Sequence, residues 1–372
     1  MRMGSRRIVI SLPFLERSDG CSRATALVDG VPLWFETADA DLTPAPEAFA
    51  SALLFSSQHR ARTLVVGSPL SNVWLDNASR ILAIWNEWWG YKPHPPEAPV
   101  RTDSDIPVAA TALMFSGGVD SFHTLLTGPR PEFLVSVHGY DMPLSDAKRM
   151  AGLRAASGAA AVARGMRAIV IRTNLREHPS YGRPSVWERG HGGGLGAIGH
   201  LLRGIAGRLV ISSSWYHRNE KPWGSTSRTD PLFGSSGTAI DHLGGDTTRE
   251  EKIAAIAIDP LVRQHLRVCW ENRSPSGNCS RCEKCMTAML HLTELDVLRE
   301  FEVFEGADDL HIRLASVGPF RSNLNLAVGL LTRGNLEPRL SKALSAVVSR
   351  SRRAAPVLAW RSRIRDVLDR YV

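Results

Sequence analysis

Residues 112–122 read ALMFSGGVDSF, and this short run constrains the fold more than any other in the chain. An apolar segment of strand character ends at two adjacent glycines, and a helical segment follows. A buried strand handing over to a helix through a tight turn is the first half of a βαβ unit. The downstream pattern continues it. Strands are expected at 109–115, 133–137, 168–172 and 208–212, and helices from 121, over 146–164, 195–205 and 247–257. Thr247 and Glu250 stand at capping-box spacing before the last of these. The expectation is an α/β fold with a Rossmann-like, doubly wound parallel sheet over residues 108–299.

Upstream, residues 7–13 (RIVISLP), 26–28, 32–36 and 63–66 have strand character, and 44–54 and 72–89 have helical character. The second helix carries Trp74, Ile81, Ile84, Trp85, Trp88 and Trp89, a density that predicts a core between domains rather than a ligand box. Residues 92–107 contain five prolines and predict a linker. Residues 1–92 are therefore expected to form an α+β domain of their own. Residues 300–372 read as a basic helical tail.

The turn at 116–121 presents backbone N–H groups and a helix N-terminus to an anion. Gly117 and Gly118 let the backbone approach phosphate oxygens without a Cβ in the way, and Ser116 and Ser121 add hydroxyl donors around Val119. Asp120 is an acid in a phosphate site, so it either binds Mg²⁺ or orients the loop. Ser116-Gly117-Gly118-Val119-Asp120-Ser121 resembles the SGGxDS signature of the PP-loop ATP pyrophosphatases at every specified position. The resemblance implies a fold of the adenine nucleotide alpha-hydrolase type and ATP as cosubstrate. It also implies that the loop holds the pyrophosphate released when a substrate attacks the α-phosphate. No Walker loop occurs. Residues 194–199 (GLGAIG) fit G-x-G-x-x-G, but 187–191 before them are polar and turn-like where a dinucleotide site needs a strand. The expectation there is a tight loop with close helix packing, in which Arg189 and His191 either reach substrate or lie on plain surface.

Four of the five cysteines, Cys269, Cys279, Cys282 and Cys285, follow the spacing C-x9-C-x2-C-x2-C. Four thiolates so placed close a tetrahedral, structural Zn²⁺ site; an iron–sulfur cluster is the alternative. The order of SGGxDS loop, Rossmann-like body and C-W…G-x-C-x-x-C-x-x-C resembles the 7-cyano-7-deazaguanine synthases over roughly residues 109–295. That resemblance implies zinc on the four cysteines, and adenylation of a carboxylated deazaguanine followed by attack of a nitrogen nucleophile. Enlarged relatives in bacterial defence systems join a deazaguanine to an amine of a macromolecule, which would suit the extra segments here.

Residues 215–249 are dense in polar groups and predict an ordered substrate loop. Trp215, Tyr216 and Trp223 are candidates to stack on a planar heterocyclic carboxylate, with Arg218, Lys221 and Arg228 to orient its acid. Lys252 points either at phosphates, as a catalytic group with Asp120 and Ser121, or at solvent. The net charge is +8. From 331 to 372 there are ten arginines and lysines against three acids, so the surplus lies mainly in the C-terminal segment. This is either a solvated helix or a patch for a nucleic-acid or protein acceptor. Two other readings use the same fold: a tRNA thiolation enzyme, which needs a nucleophilic cysteine near the loop, and a non-catalytic nucleotide-binding scaffold. No apolar run approaches the ~18 residues of a membrane span. With no secretory signal readable, a cytoplasmic protein without membrane contact is expected, and a homodimer is compatible with the sequence.

Overall fold

The computed structural model describes residues 6–102, 108–181, 184–271, 273–274 and 277–371. Its strands are β1 (Arg7–Ile10), β2 (Phe14–Ser18), β3 (Cys21–Val28), β4 (Val31–Thr37), β5 (Thr63–Val66), β6 (Leu70–Ser71), β7 (Val100–Arg101), β8 (Thr111–Met114), β9 (Phe133–His138), β10 (Arg167–Thr173), β11 (Arg208–Ser212) and β12 (Ala239–Leu243). Its helices are α1 (Pro46–His59), α2 (Asn72–Trp89), α3 (Val119–Thr127), α4 (Ala147–Ala163), α5 (Pro184–Leu202), α6 (Arg249–Ile256), α7 (Pro260–His265), α8 (Glu283–Glu294), α9 (Leu310–Ser316), α10 (Leu324–Arg333) and α11 (Pro338–Tyr371). They group into two compact units. One comprises Met1–Ser116 and Thr127–Thr247; the other comprises Gly117–Leu126 and Thr248–Val372.

The first unit is built on a ten-stranded sheet in the order β12-β11-β8-β9-β10-β4-β3-β1-β5, with β2 paired to β3. Strands β8 to β12 are all parallel, which suits their apolar sequences because a parallel sheet is covered on both faces. The chain enters at β8 in the middle of these five, moves outward through β9 and β10, and returns to β11 on the other side of β8. The outer strand β12 lies inside the segment expected to be one long substrate loop; its half-polar sequence AIDHL concealed it.

Residues 1–92 do not stand as a separate domain. Strand β4 pairs antiparallel with β10, Arg172 opposite Glu36 and Thr173 opposite Phe35. The seam is stitched by side chains: Thr173 Oγ1 donates to the Trp34 carbonyl at 2.7 Å, Thr37 Oγ1 to the Val170 carbonyl at 2.8 Å, and Asn174 Nδ2 to the Pro32 carbonyl at 2.9 Å. An exposed β10 edge would present a row of unpaired backbone groups, and β4 removes that cost. The expected linker is tied down as well. Glu97 bridges Val65, β7 pairs with β6, and Gln58 holds His94 through two hydrogen bonds at 2.8 Å. Residues 103–107 of that linker lie outside the described residues.

Helix α1 is buried from Glu47 to Gln58 because α5 closes over it. The helix expected over 195–205 is α5, but it begins eleven residues earlier, at Pro184, so that 187–191, expected as a turn, and the tight loop expected at 194–199 are helical within it. The close packing expected there is present, and the glycines explain it. A Cβ on Gly190 would lie 2.6 Å from Cβ of Phe55, and one on Gly193 would run into the Ser51 carbonyl oxygen of α1. The aromatic helix α2 belongs to the same core, within one unit and not between two. Trp74 and Trp85 are fully buried; Trp74 donates to Ser51 Oγ at 2.9 Å, and Trp85 meets Phe55 edge-on at 4.9 Å. On the opposite sheet face, Met150 and Leu153 of α4 pack on Val170.

In the second unit, residues 300–371 are not an appended tail. Leu314, Leu330, Leu344 and Val347 of α9, α10 and α11 are buried. The buried Glu283 carboxylate of α8 accepts from the backbone N–H groups of Arg321, Ser322 and Asn323, at 2.9, 2.7 and 2.5 Å. The side chains of Arg361, Arg363, Arg365 and Arg370, much of the expected basic patch, lie outside the described residues. No described helix is long and apolar enough to cross a membrane.

The α1–α5 contact makes a test. Replacing a helical glycine by alanine normally gains up to about 1 kcal/mol, but overpacking costs roughly 1–3 kcal/mol. Gly193→Ala should therefore lower the stability of the first unit by about 1–2 kcal/mol in urea unfolding followed by tryptophan fluorescence. Gly152→Ala in α4, where a Cβ meets nothing within 4 Å, should be neutral or stabilising.

Candidate phosphate loop and metal centre

Strand β8 is held in the sheet beyond its last ladder residue by a 2.7 Å bond from Phe115 N to the Val135 carbonyl. The chain then leaves the sheet at Ser116, which is exposed. Gly117 turns it with φ +71°, a conformation that only glycine adopts without cost. Its carbonyl accepts from Arg267 N at 2.7 Å. The Gly118 carbonyl accepts from Phe122 N at 3.0 Å and from Ser121 Oγ at 3.1 Å, which starts α3 at Val119. The first-turn N–H groups of a helix lie outside its internal ladder, at the positive end of its dipole.

Asp120, the second residue of α3, faces two cations. Its Oδ1 lies 3.1 Å from Lys252 Nζ and its Oδ2 lies 3.1 Å from an Arg249 Nη. Of the two roles open to it, orienting the loop is the one these contacts supply. Lys252 is the sequence candidate; its side chain is only 3% exposed, so it is not the surface lysine of the alternative reading. Arg249 was missed, although its position three residues before Lys252 put both on one helix face. The capping box forms one residue later than expected, with Thr248 and Glu251 reciprocally bonded. That shift makes Arg249 the first and Lys252 the fourth residue of α6. Two cations against one carboxylate leave the cluster net positive.

The expected substrate residues are only partly brought together. Arg189 donates to the Tyr91 hydroxyl at 3.1 Å and lies over the Trp89 ring. Arg228 forms a bidentate pair with Glu87, at 2.9 and 2.8 Å, over Trp88; the guanidinium holds the Glu87 carboxyl below its ordinary range. Both arginines are thus engaged by α2 and its end. His191 donates from Nδ1 to the Trp187 carbonyl at 3.0 Å. Trp215, Tyr216 and Trp223 do not form the expected sandwich. Instead Trp223 meets His191 at 5.9 Å, His191 meets Trp187 at 5.7 Å, and Trp187 meets Tyr140 at 4.8 Å. Trp187 was missed because a polar, glycine-rich stretch hid the helix that carries it, and Tyr140, just after β9, because nothing local shows that its hydroxyl donates to the Gly194 carbonyl at 2.6 Å. Trp215 is tied to Ser213 through its backbone, while Arg218 and Lys221 are exposed. The segment is ordered by the buried Asp230, which accepts from Ser225 Oγ at 2.6 Å, Thr226 N at 3.2 Å and His242 Nδ1 at 2.8 Å.

The four cysteines converge. Cys269, Cys279, Cys282 and Cys285 are buried with their sulfurs all within 4.8 Å of one another. The Cys279–Cys285 and Cys269–Cys282 sulfurs are 3.9 Å apart. That is far beyond a disulfide bond and close to the edge of about 3.8 Å in a tetrahedron with metal–sulfur bonds near 2.3 Å. This cluster could hold a structural metal such as zinc. Cys282 N donates to Cys279 Sγ at 3.3 Å. Hydrogen bonds from Cys282 and Cys285 hold Cys269 below the ordinary thiol range, and the same bonds push Cys285 up and Cys282 up to about 12. Successive protons therefore leave readily only in exchange for a cation. Asn278, which the sequence reading passed over, braces the cluster. Its Oδ1 accepts from Val268 N at 2.9 Å and Cys269 N at 3.2 Å, and its Nδ2 donates to the Leu266 carbonyl at 2.7 Å.

One metal ion per chain is expected by elemental analysis of the purified protein, with zinc as the metal. Cys282→Ser should release it and expose α8 to proteolysis. Asn278→Ala should keep the ligands but weaken binding roughly 10- to 100-fold in a chelator competition. Iron in the preparation, or no metal, would contradict the zinc assignment.

Compared with protein-family models, curated proteins and solved structures, the chain has no significant match in any of the three.

Proposed function

We propose that the chain is an adenylating enzyme of the PP-loop type, which converts ATP to AMP and pyrophosphate while activating a carboxylate for transfer to a nitrogen nucleophile. One observation carries this reading: the SGGVDS turn stands at the carboxyl end of β8, where the order β10-β9-β8-β11-β12 reverses direction. In doubly wound sheets ligands bind at that reversal, outside the carboxyl ends of the strands. A glycine-rich turn, a helix N-terminus and a net positive Arg249–Lys252–Asp120 cluster suit a pyrophosphate leaving group.

In the first step a substrate carboxylate oxygen attacks the α-phosphorus, and the bond to the bridging oxygen of the β-phosphate breaks. Pyrophosphate departs with the bonding pair, stabilised by the loop and by Lys252. Mg²⁺ would supply further charge neutralisation. In the second step a nitrogen nucleophile attacks the activated carbonyl carbon, AMP leaves, and the nitrogen loses a proton. Catalysis in the first step is positioning and electrostatics. The resemblance to the deazaguanine synthases makes 7-carboxy-7-deazaguanine the first acid to try, with ammonia or an amine of a macromolecule as acceptor. Trp223 with Arg218 and Lys221 is the surface this reading assigns to a planar acid. The thiolation reading is disfavoured by Cys21, which begins β3. Four strand spacings separate β3 from β8, about 19 Å.

With ATP, Mg²⁺ and 7-carboxy-7-deazaguanine, mass spectrometry should detect AMP and an adenylated intermediate. Lys252→Met should lower pyrophosphate release roughly 10²- to 10³-fold. Absence of AMP in a preparation that binds ATP would reject this acid. Full turnover in Lys252→Met would reject the site.

A further inference from the structure

We propose that His242 is the proton acceptor for the nitrogen nucleophile: its Nε2 takes the proton that the nitrogen loses as it displaces AMP, and Asp230 positions it. The inference deepens the proposed function and rests on that adenylation reading.

A buried pair of side chains is the first ground. His242 and Asp230 are 2% and 0% exposed, and His242 Nδ1 lies 2.8 Å from Asp230 Oδ2. A carboxylate only accepts, so Nδ1 carries the proton and Nε2 keeps its lone pair. That Nε2 is buried and has no hydrogen-bond partner among the described residues. Buried polar atoms are normally paired, and one that is not calls for a reason. Other buried histidines of this unit differ at the same atom. His138, His178 and His200 each commit Nε2 to a main-chain carbonyl, of Pro143, Val31 and Phe233, at 2.9, 3.1 and 2.8 Å. Those rings brace the fold through Nε2; His242 does not.

Preorganisation is the second. Asp230 Oδ2 also accepts from Ser225 Oγ at 2.6 Å, and its Oδ1 accepts from Thr226 N at 3.2 Å. Gly192 of α5 leaves the carboxylate its place: a Cβ there would lie 2.8 Å from Asp230 Oδ1 and 2.4 Å from the Gly224 carbonyl oxygen. A carboxylate fixed in this way holds the imidazole in one tautomer and one orientation, and it stabilises the imidazolium formed when Nε2 takes a proton.

Place in the sheet is the third. His242 is the fourth of the five residues of β12, near the carboxyl end of a parallel strand. Ligands of doubly wound sheets lie outside those ends. Strand β12 is two strand spacings from β8, about 10 Å, a distance that a nucleotide joined to an acyl group can span. The nucleophile then approaches from the β12 side. Its nitrogen attacks the acyl carbon and the C–N bond forms. The C–O bond to the phosphate breaks, AMP leaves with the bonding pair, and the proton lost from nitrogen passes to Nε2.

The test separates the two steps in the full-length protein, supplied with ATP, MgCl₂ and 7-carboxy-7-deazaguanine. Pyrophosphate released in a single turnover reports the first step, and the amide made from ammonium chloride reports the second. Hydroxylamine, unprotonated at neutral pH and strongly nucleophilic, needs no base, so its hydroxamate reports delivery of the acyl group alone. His242→Gln should lower amide formation roughly 10²- to 10⁴-fold. Pyrophosphate release and the hydroxamate should change by less than about threefold. In Asp230→Asn the amide can donate to Nδ1, which moves the ring proton to Nε2; the same split between amide and hydroxamate is expected. If His242→Gln does not fold, Asp230→Asn carries the comparison. Amide formation close to wild type in both variants, or equal loss of amide and hydroxamate, would overturn the proposal and leave the adenylation reading standing. If wild type itself releases no pyrophosphate with this acid, the substrate assignment falls and this proposal falls with it.

Discussion

Strand β8 is hydrogen-bonded on both edges, to β9 and to β11, and its position in the middle of five parallel strands sets the rest of the first unit. A doubly paired strand cannot shift register without breaking two ladders. Its carboxyl end is thereby fixed, and the chain must leave it through a tight turn to reach the crossover helix. Gly117 and Gly118 supply that turn. From β8 the sheet runs to β9 and β10 on one side and to β11 and β12 on the other.

Asp120 holds both Arg249 and Lys252, each at 3.1 Å, and the place of the two cations on one face of α6 makes the trio a unit. Burial of Lys252 gives that pairing its weight, because a cation withdrawn from water needs an anion beside it.

The second unit depends on a similar economy of polar groups. The cysteine cluster fixes the entry of α8, and Asn278 binds the strand-like approach of Cys269 to it. One helical residue on, the Glu283 carboxylate gathers three backbone N–H groups before α10 and so ties the C-terminal helices to the knuckle. The same short stretch therefore carries both the cysteine cluster and the anchor of the C-terminal helices.

The glycine turn and the cysteine cluster were legible because they are local. SGGVDS needs only its neighbours to turn from strand to helix, and C-x9-C-x2-C-x2-C brings sulfurs together over a few turns of chain. The strands β8 to β11 and helix α2 were likewise written in their apolar pattern. Partnerships across long stretches of sequence were not. Nothing in PLWFE states that β4 will pair with β10, because a half-buried antiparallel strand looks the same whether it closes its own domain or extends another sheet. The glycines of α5 read as a loop by propensity, since the helix penalty is visible in sequence while the compensating contact with α1 is not. Arg189 and Arg228 looked like substrate groups until α2 placed Tyr91 and Glu87 beside them. The sequence by itself determined the glycine turn from strand to helix, the four-cysteine cluster that could hold a metal and the parallel α/β core. Only the tertiary structure decided where the units divide and which cations are engaged, because those outcomes depend on distances between residues that the chain does not hold near one another.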